Sequence, residues 1–186
     1  FTNPARDIRA PSPILGKPQA LSPREINEVR EKAQSRRAQK SSFIRLRNEA
    51  IFNLFLETGL RADEVRLLRL SQVDDALEWI RNVRTKGRRY RNVYIPSTLR
   101  TALQEYLIQR ASQLRRYYPK LSKSVDRTLP LFISNYRADP KVPDSFLMGA
   151  KSLWRAVHEL SADKALHPHL LRHSFATELL EESHDV

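Results

Sequence analysis

The sequence predicts an α+β domain that is mainly helical and carries one small antiparallel sheet. Apolar residues recur at helical spacing over most of the chain, and the period changes to that of a strand only between residues 77 and 95. The two strand-like segments there flank a short polar turn, which is the pattern of a β-hairpin. The chain has 186 residues, enough for one domain with a hydrophobic core.

Residues 1–20 are expected to be an interdomain linker, because they contain four prolines and little apolar periodicity. The folded domain is expected over residues 21–186. Its first helix is predicted from Pro23 to about residue 35. Ser22 and Glu25 form a capping box there, with proline at the first helical position.

Two more helices are predicted before the change of period. Residues 42–58 form the longer one, and Gly59 ends it because glycine readily adopts the left-handed conformation found at helix C-termini. A short helix over residues 62–68 follows Arg61 directly. The longer helix has a single apolar stripe, made of Phe43, Leu46, Ala50, Ile51, Leu54 and Phe55.

The predicted strands are residues 77–83 and 91–95, and the turn between them is strongly basic. A long helix capped by Ser97 is predicted over residues 97–117, and residues 118–128 are expected to be a polar, basic loop. The inward side of that helix is assigned to Leu99, Leu103, Tyr106, Leu107 and Leu114.

Residues 131–133 form a short strand or a buried extended segment. Another helix begins at Asp144 or Ser145, and the last helix runs from Pro168 to about Glu182. The apolar side of the first of these two helices is assigned to Phe146, Leu153, Trp154 and Val157.

The charge balance points to a polyanionic partner. Lysine and arginine number 33 against 21 acidic residues, which gives a formal net charge of +12 and a sequence pI of about 10.4. The alternative is a generally basic protein with no such partner. The chain has no cysteine, so disulfides and thiolate metal sites are excluded. No apolar run approaches the roughly 20 residues needed to cross a bilayer, and we expect a cytoplasmic protein.

Two segments place cations on rigid turns. Arg61 follows a glycine turn, and Glu64 lies one helical turn further on, where it can hold the arginine. Lys86 lies at the tip of the basic hairpin, where neighbouring arginines would lower the pKa of its ammonium group. Each has an ordinary alternative: a surface arginine beside a helix end, and a solvated turn that touches phosphates at most.

A third segment combines a proton carrier with a fixed cation. His169 and Arg172 lie three residues apart near the start of the last helix, so both project from one face. A metal is the alternative, because His169 and His173 are four residues apart and His167 is close by. However, the glutamate of such zinc helices is absent, and Arg172 would repel the metal. His173 is also suited to packing or hydrogen bonding that fixes its neighbours.

Together these segments resemble the tyrosine recombinases, also called the phage integrase family. Thr-Gly-Leu-Arg-x-x-Glu at 58–64 resembles the family's first arginine box, and Lys-Gly-x-x-x-Arg-x-Val at 86–93 its lysine hairpin. His-x-x-Arg-His-Ser-Phe-Ala-Thr at 169–177 resembles its second box. The resemblance covers residues 21–186 and implies an integrase-like DNA breaking–rejoining catalytic core.

The resemblance also implies roles for the site residues. Arg61 and Arg172 would bind the scissile phosphate, Lys86 would protonate the 5′ leaving oxygen, and His169 would donate a hydrogen bond or shuttle a proton. Glu64 would support its neighbours, as would His173. No metal or nucleotide cofactor is implied. The expected DNA contacts are made by Arg84, Arg88, Arg89, Arg91 and Lys17.

In this family a tyrosine attacks phosphorus and forms a 3′-phosphotyrosine, but all six tyrosines of this chain precede the second arginine box. We therefore expect a fragment of a longer bacterial, phage or mobile-element recombinase, one that binds double-stranded DNA without cutting it. A cleavage-deficient DNA-binding regulator and a type IB topoisomerase are the alternatives. The complete protein is expected to act as a tetramer on DNA, and the fragment to be a monomer.

Overall fold

The computed structural model describes residues 20–35, 43–85, 87–134, 138–160 and 165–184, so the expected linker lies almost wholly outside it. The mainly helical fold with one small antiparallel sheet is confirmed. Short 3₁₀ turns lie at Leu70–Gln72 and Pro143–Phe146. The longer elements are α1 (Pro23–Ser35), α2 (Phe43–Thr58), α3 (Ala62–Leu67), β1 (Trp79–Arg84), β2 (Tyr90–Tyr94), α4 (Ser97–Tyr117), α5 (Lys123–Thr128), α6 (Ala150–His158) and α7 (Pro168–His184).

Helix α1 begins where its capping box predicts. The N–H of Ser22 donates to Glu25 Oε2 at 2.9 Å, and the N–H of Glu25 donates to Ser22 Oγ at 3.3 Å. These two reciprocal bonds satisfy backbone donors that the first helical turn leaves without a partner. The start of helix α1 is therefore specified by four consecutive residues.

Helix α2 is the centre of the core and contacts α4, α6 and α7. Its predicted apolar stripe is buried, as expected. The opposite side is buried as well, including Asn48, Glu49, Asn53 and Thr58, because helices pack around it on more than one side. Burial of nearly every residue from Asn48 to Thr58 makes the C-terminal part of α2 a rigid base for the turn that follows it.

The two strands form an antiparallel hairpin in which Ile80 pairs with Val93 and Val83 pairs with Arg91. The hairpin has a bulge between Ile80 and Val83. Strand β1 begins at Trp79 and not at residue 77, because Leu77 has a φ of +54° and closes a turn by donating to Asp74 O at 3.0 Å. Strand β2 ends at Tyr94, one residue before its predicted end.

Two predictions about helix α4 and the segment after it are wrong. Pro96, and not Ser97, occupies the N-cap of α4, so Ser97 is already inside the helix. The supposed loop at 118–128 contains helix α5, whose cap is Ser122, the acceptor of a bond from the Val125 N–H at 3.3 Å. A distant residue anchors α5, because Arg110 on α4 is 1% exposed and pairs with Asp126 at 2.5 Å.

Residues 131–133 are a buried extended segment, which confirms one of the two alternatives. The Tyr106 hydroxyl donates to Leu131 O at 3.0 Å and accepts from the Ile133 N–H at 3.2 Å. Arg110 donates to the carbonyls of Pro130 and Leu131 as well. Side chains of α4 thus satisfy part of the segment's backbone groups, and isolated β-bridges at Pro130 and Ile133 take the place of a continuous strand.

The helix predicted from residue 144 is two elements, the 3₁₀ turn at Pro143–Phe146 and helix α6. Leu153 and Val157 are buried as predicted, but Trp154 is 47% exposed. Its ring stacks on His158, with 4.4 Å between ring centroids, and so lies beside the buried stripe instead of within it. No helix in the described ranges is long and apolar enough to cross a membrane.

Candidate active site

The site is built on the turn at Gly59, where α2 ends. Gly59 has a φ of +57° and donates its N–H to Phe55 O at 3.1 Å. A Cβ atom at this position would lie 2.3 Å from Cδ1 of Phe175 on α7. Glycine is therefore required twice, for the left-handed backbone and for the close approach of α7.

The same turn holds Arg172. Nη1 of Arg172 donates to the carbonyl oxygen of Gly59, which joins segments 113 residues apart in the chain. Phe175 lies three residues further along α7, so the guanidinium and the aromatic ring project toward the turn from one side of the helix. Arg61 follows Gly59 by two residues, and docking of α7 consequently brings the two arginine segments together.

Arg61 is the N-cap residue of α3 and is held by Glu64. The backbone N–H of Arg61 donates to Glu64 Oε2 at 2.8 Å, and its Nη1 donates to Oε1 at 3.2 Å. The side chain of Glu64 is 5% exposed, whereas that of Arg61 is 50% exposed. The carboxylate is thus a buried support, and the guanidinium reaches solvent.

Arg91, which is predicted from the sequence to contact DNA, also donates a hydrogen bond to Glu64. Its Nη2 lies 3.2 Å from Glu64 Oε2, so one buried carboxylate pairs with cations from α3 and from β2. No signal in the sequence indicates this pair, because residues 64 and 91 lie on different elements.

Five of the eleven predicted site residues line one cleft of about 680 Å³. Its walls include Arg61 and Glu64 from α3, Arg84 from the hairpin, and His169 and Arg172 from α7. Arg88 and Arg89 are exposed in the turn and do not line the cleft. Lys86 and Lys17 lie outside the described residues, although Thr85 beside Lys86 in the chain lines the cleft.

The cleft carries an excess of positive charge. Burial lowers the pKa of the Arg172 guanidinium, and the positive charges of Arg61 and Arg91 lower it further, while Glu64 raises it. Arginine nevertheless stays protonated at neutral pH, because its ordinary pKa is far above 7. Three cations therefore lie near the Glu64 carboxylate, an arrangement suited to an anion with several oxygen atoms, although Arg91 does not itself line the cleft.

The three histidines have different positions. His167 caps α7, because its Nδ1 accepts the N–H of Leu170 at 3.2 Å. His169 is exposed at the edge of the cleft, and His173 is half-buried. Among the described residues, no group of three or more histidine or acidic side chains is placed to hold a metal.

Sequence reasoning missed Arg69 and Gln72, which also line the cleft. Gln72 accepts the Arg69 N–H at 2.8 Å and donates to the carbonyls of Arg81 and Asn82, at 3.1 and 2.9 Å, in the bulged part of β1. It therefore attaches the hairpin to the wall of the cleft. The sequence did contain a pattern that indicates this pair, since Arg-x-x-Gln at 69–72 repeats the spacing of Arg-x-x-Glu at 61–64.

None of the described tyrosines lines this cleft. Tyr106 is buried in the core, and the hydroxyl of Tyr118 donates to Ala138 O at 2.9 Å. The exposed ones are Tyr90, Tyr94 and Tyr117. Tyr136 lies outside the described residues.

The family model for the phage integrase family matches residues 20–186. A tyrosine recombinase XerC from Alcanivorax borkumensis is 36% identical over 184 residues, which are 99% of this chain and 54% of that protein. A tyrosine recombinase XerC from Halalkalibacterium halodurans is 37% identical over 143 residues, 77% of this chain and 44% of that protein. The chain spans about half the length of these relatives.

Two solved structures share the fold. The XerA recombinase has a TM-score of 0.65 and 25% identity, with 95% of this chain and 54% of that chain covered. The XerH site-specific recombinase, solved in a post-cleavage complex with a palindromic difH substrate, has a TM-score of 0.63 and 22% identity. That match covers 89% of this chain and 42% of XerH, and at this identity it concerns the fold alone.

Replacing Gly59 by alanine is expected to destabilise the protein by about 2 to 4 kcal/mol, because a left-handed alanine is strained and its Cβ overlaps Phe175. Urea unfolding followed by circular dichroism measures the loss. Gly149→Ala is the matched control, since Gly149 has a φ of −65° and the nearest atom to an added Cβ is 4.0 Å away. Equal stability of the two variants would contradict the role given to Gly59.

Proposed function

The chain belongs to the phage integrase family, and on that basis we propose that it supplies the catalytic domain of a site-specific DNA recombinase. In this proposal the complete protein cuts and rejoins DNA strands through a 3′-phosphotyrosine intermediate. The observation that carries it is the cleft in which Arg61 and Arg172, from opposite ends of the domain's sequence, lie around the buried Glu64.

Arg61 and Arg172 bind the non-bridging oxygens of the scissile phosphate in this mechanism. Guanidinium groups match phosphate oxygens in geometry, and they stay charged throughout. Attack on phosphorus adds negative charge to those oxygens, so preorganised cations stabilise the transition state more than the ground state. The exposed half of the Arg61 side chain and the cleft position of Arg172 support these roles.

The proton transfers of this mechanism are assigned to Lys86 and His169. We assign Lys86 as the general acid that protonates the 5′ oxygen as it leaves, and His169 as a hydrogen-bond donor or proton shuttle. Supporting this, His169 lines the cleft, and so do Arg84 and Thr85, which precede Lys86 in the chain. His173 supports the site from within α7. No step in this scheme calls for a metal or a nucleotide cofactor.

Double-stranded DNA is the proposed substrate and partner. The net charge of +12 and the exposed Arg88 and Arg89 at the hairpin turn support binding through the phosphate backbone. XerH, a relative in fold, was solved with a DNA substrate. We propose a tetramer on DNA for the complete protein and a monomer for these 186 residues alone.

One observation favours a second candidate function, a DNA-binding protein that does not cut. No described tyrosine lines the cleft, so the described part of the site offers phosphate contacts without a tyrosine hydroxyl to attack. The two candidates share the binding step and differ only in the covalent step. An assay for a covalent protein–DNA adduct therefore separates them.

The 186-residue chain is expected to bind duplex DNA with an affinity that falls steeply as salt rises, and to form no covalent adduct. Fluorescence anisotropy at several salt concentrations measures the first property, and denaturing gels of nicked substrates measure the second. The protein at the full length of its reading frame is the control and is expected to form the adduct. An adduct from the shorter chain would place the nucleophile among its own tyrosines.

Arg172→Ala in the full-length protein is expected to lower the DNA cleavage rate at saturating DNA by at least about a hundredfold, because it removes a preorganised transition-state contact. Duplex binding should weaken by about tenfold or less. Arg24→Ala removes the same charge from α1, where the side chain is 90% exposed, and should leave cleavage unchanged. If Arg172→Ala lost binding and cleavage in equal measure, the residue would be a binding contact only.

Lys86→Ala is expected to abolish most cleavage of ordinary DNA but to recover to within about tenfold of wild type on a substrate with sulfur at the 5′ bridging position. A thiolate leaves without being protonated, so the acid is no longer needed. Single-turnover cleavage of the two substrates provides the comparison. Arg172→Ala should gain no such recovery, and absence of rescue for Lys86→Ala would remove it from the acid role.

A further inference from the structure

The contacts of Glu64 join two walls of the cleft. Its Oε2 accepts from the backbone N–H of Arg61 at 2.8 Å and from Nη2 of Arg91 at 3.2 Å, while Oε1 accepts from Nη1 of Arg61 at 3.2 Å. Arg61 begins helix α3, and Arg91 belongs to strand β2. One carboxylate therefore ties the helix that presents a phosphate-binding arginine to the hairpin that faces it.

Burial makes this tie stronger than an ordinary surface ion pair. The Glu64 side chain is 5% exposed, and a buried carboxylate that loses one of its cations is strongly disfavoured. Without Arg91, the hydrogen bonds that Glu64 accepts would come from Arg61. The carboxylate would then compete with phosphate for the same guanidinium, so Arg91 leaves Arg61 available to the substrate.

The position of Arg91 in the hairpin gives the tie a geometric consequence. Arg91 pairs across the sheet with Val83, and Val83, Arg84 and Thr85 all line the cleft. Gln72 holds strand β1 through two backbone carbonyls, and Arg91 holds strand β2 through its side chain. The two attachments together fix the hairpin against α3.

We propose that Arg91 is a positioning residue, which acts through Glu64 to hold the hairpin and Arg61 in the correct relative positions around the scissile phosphate. This inference rests on the proposed recombinase function, and it replaces the expectation that Arg91 simply binds DNA phosphate. The two roles differ in a measurable way. A phosphate contact acts on binding and its salt dependence, whereas a positioning residue acts on the cleavage rate of DNA that is already bound.

The test uses the full-length protein with Arg91→Gln, Arg91→Lys and Glu64→Gln. Arg91→Gln is expected to lower the cleavage rate at saturating DNA by about tenfold to a hundredfold, since misplacement of reacting groups has effects of that size. Its dissociation constant should change by less than about threefold, and the slope of log affinity against log salt should not change. Arg91→Lys should restore part of the rate, because it keeps the charge and loses the guanidinium geometry.

Arg81→Gln is the matched control. Arg81 lies on the neighbouring strand, pairs with Asp74 at 3.4 Å and has a 47% exposed side chain, against 42% for Arg91. It lies outside the cleft lining, and its substitution should leave cleavage and binding at wild-type values. The control thus separates loss of a hairpin charge from loss of the bond to Glu64.

A double-mutant cycle decides whether Arg91 acts through Glu64. Adding Arg91→Gln to Glu64→Gln should reduce the cleavage rate by less than about twofold further, because the shared interaction is already lost. Additive effects, an unchanged rate for Arg91→Gln, or a salt slope reduced by about one would each overturn the inference. If Arg91→Gln fails to fold, Arg91→Lys carries the same rate and salt measurements.

Measurements on the wild-type protein distinguish failure of the proposed recombinase function from failure of the role proposed for Arg91. If it forms a covalent adduct and the cycle is additive, the recombinase function stands and the role of Arg91 falls. If wild type forms no adduct, the proposed function falls, and the inference about Arg91 falls with it.

Discussion

The close contact between the Gly59 turn and helix α7 sets the geometry of the whole site. The Gly59 carbonyl accepts from Arg172, and the Phe175 ring occupies the space where any other residue would place a Cβ. The buried C-terminal part of helix α2 holds that turn in place. Because Arg61 follows two residues later, this packing contact determines how the guanidinium groups of Arg61 and Arg172 lie relative to each other.

The side chains that line the cleft carry more positive than negative charge. Arg61, Arg91 and Arg172 lie near the buried carboxylate of Glu64, and burial, together with repulsion from the other two cations, lowers the pKa of Arg172. A scaffold of buried helices can hold like charges together, since the cost of their repulsion is met by packing elsewhere. A phosphate group, which carries several oxygen acceptors, would offset that repulsion.

The walls of the cleft are joined by side-chain bonds to backbone and carboxylate groups. Gln72 donates to a backbone carbonyl in the bulge of β1, and Arg91 on β2 donates to Glu64. Arg69, in the same wall as Gln72, donates to the Thr128 carbonyl and to Asp144. The hairpin has only two strands, and such a small sheet is rarely stable alone in water. These bonds explain how it can nevertheless present groups to the cleft in a fixed orientation.

Local signals decided the parts of this protein that depend on neighbours within one or two turns. The capping box at Ser22, the left-handed Gly59 and the motifs that contain Arg61 and Arg172 were all evident in the sequence, as were the helical fold class and the excess of positive charge. Such features depend on the backbone preferences and chemistry of consecutive residues, so a sequence displays them directly.

Tertiary structure alone decided the rest. The pairing of Arg91 with Glu64, the helix at α5 held by the buried Arg110, and the exposed position of Trp154 arise where segments far apart in the chain meet. Burial and ion pairing depend on which distant surface covers a residue, and no local pattern records that. The sequence supplied the chemical groups of the site, and packing of α7 and the hairpin onto α2 and α3 set the distances between them.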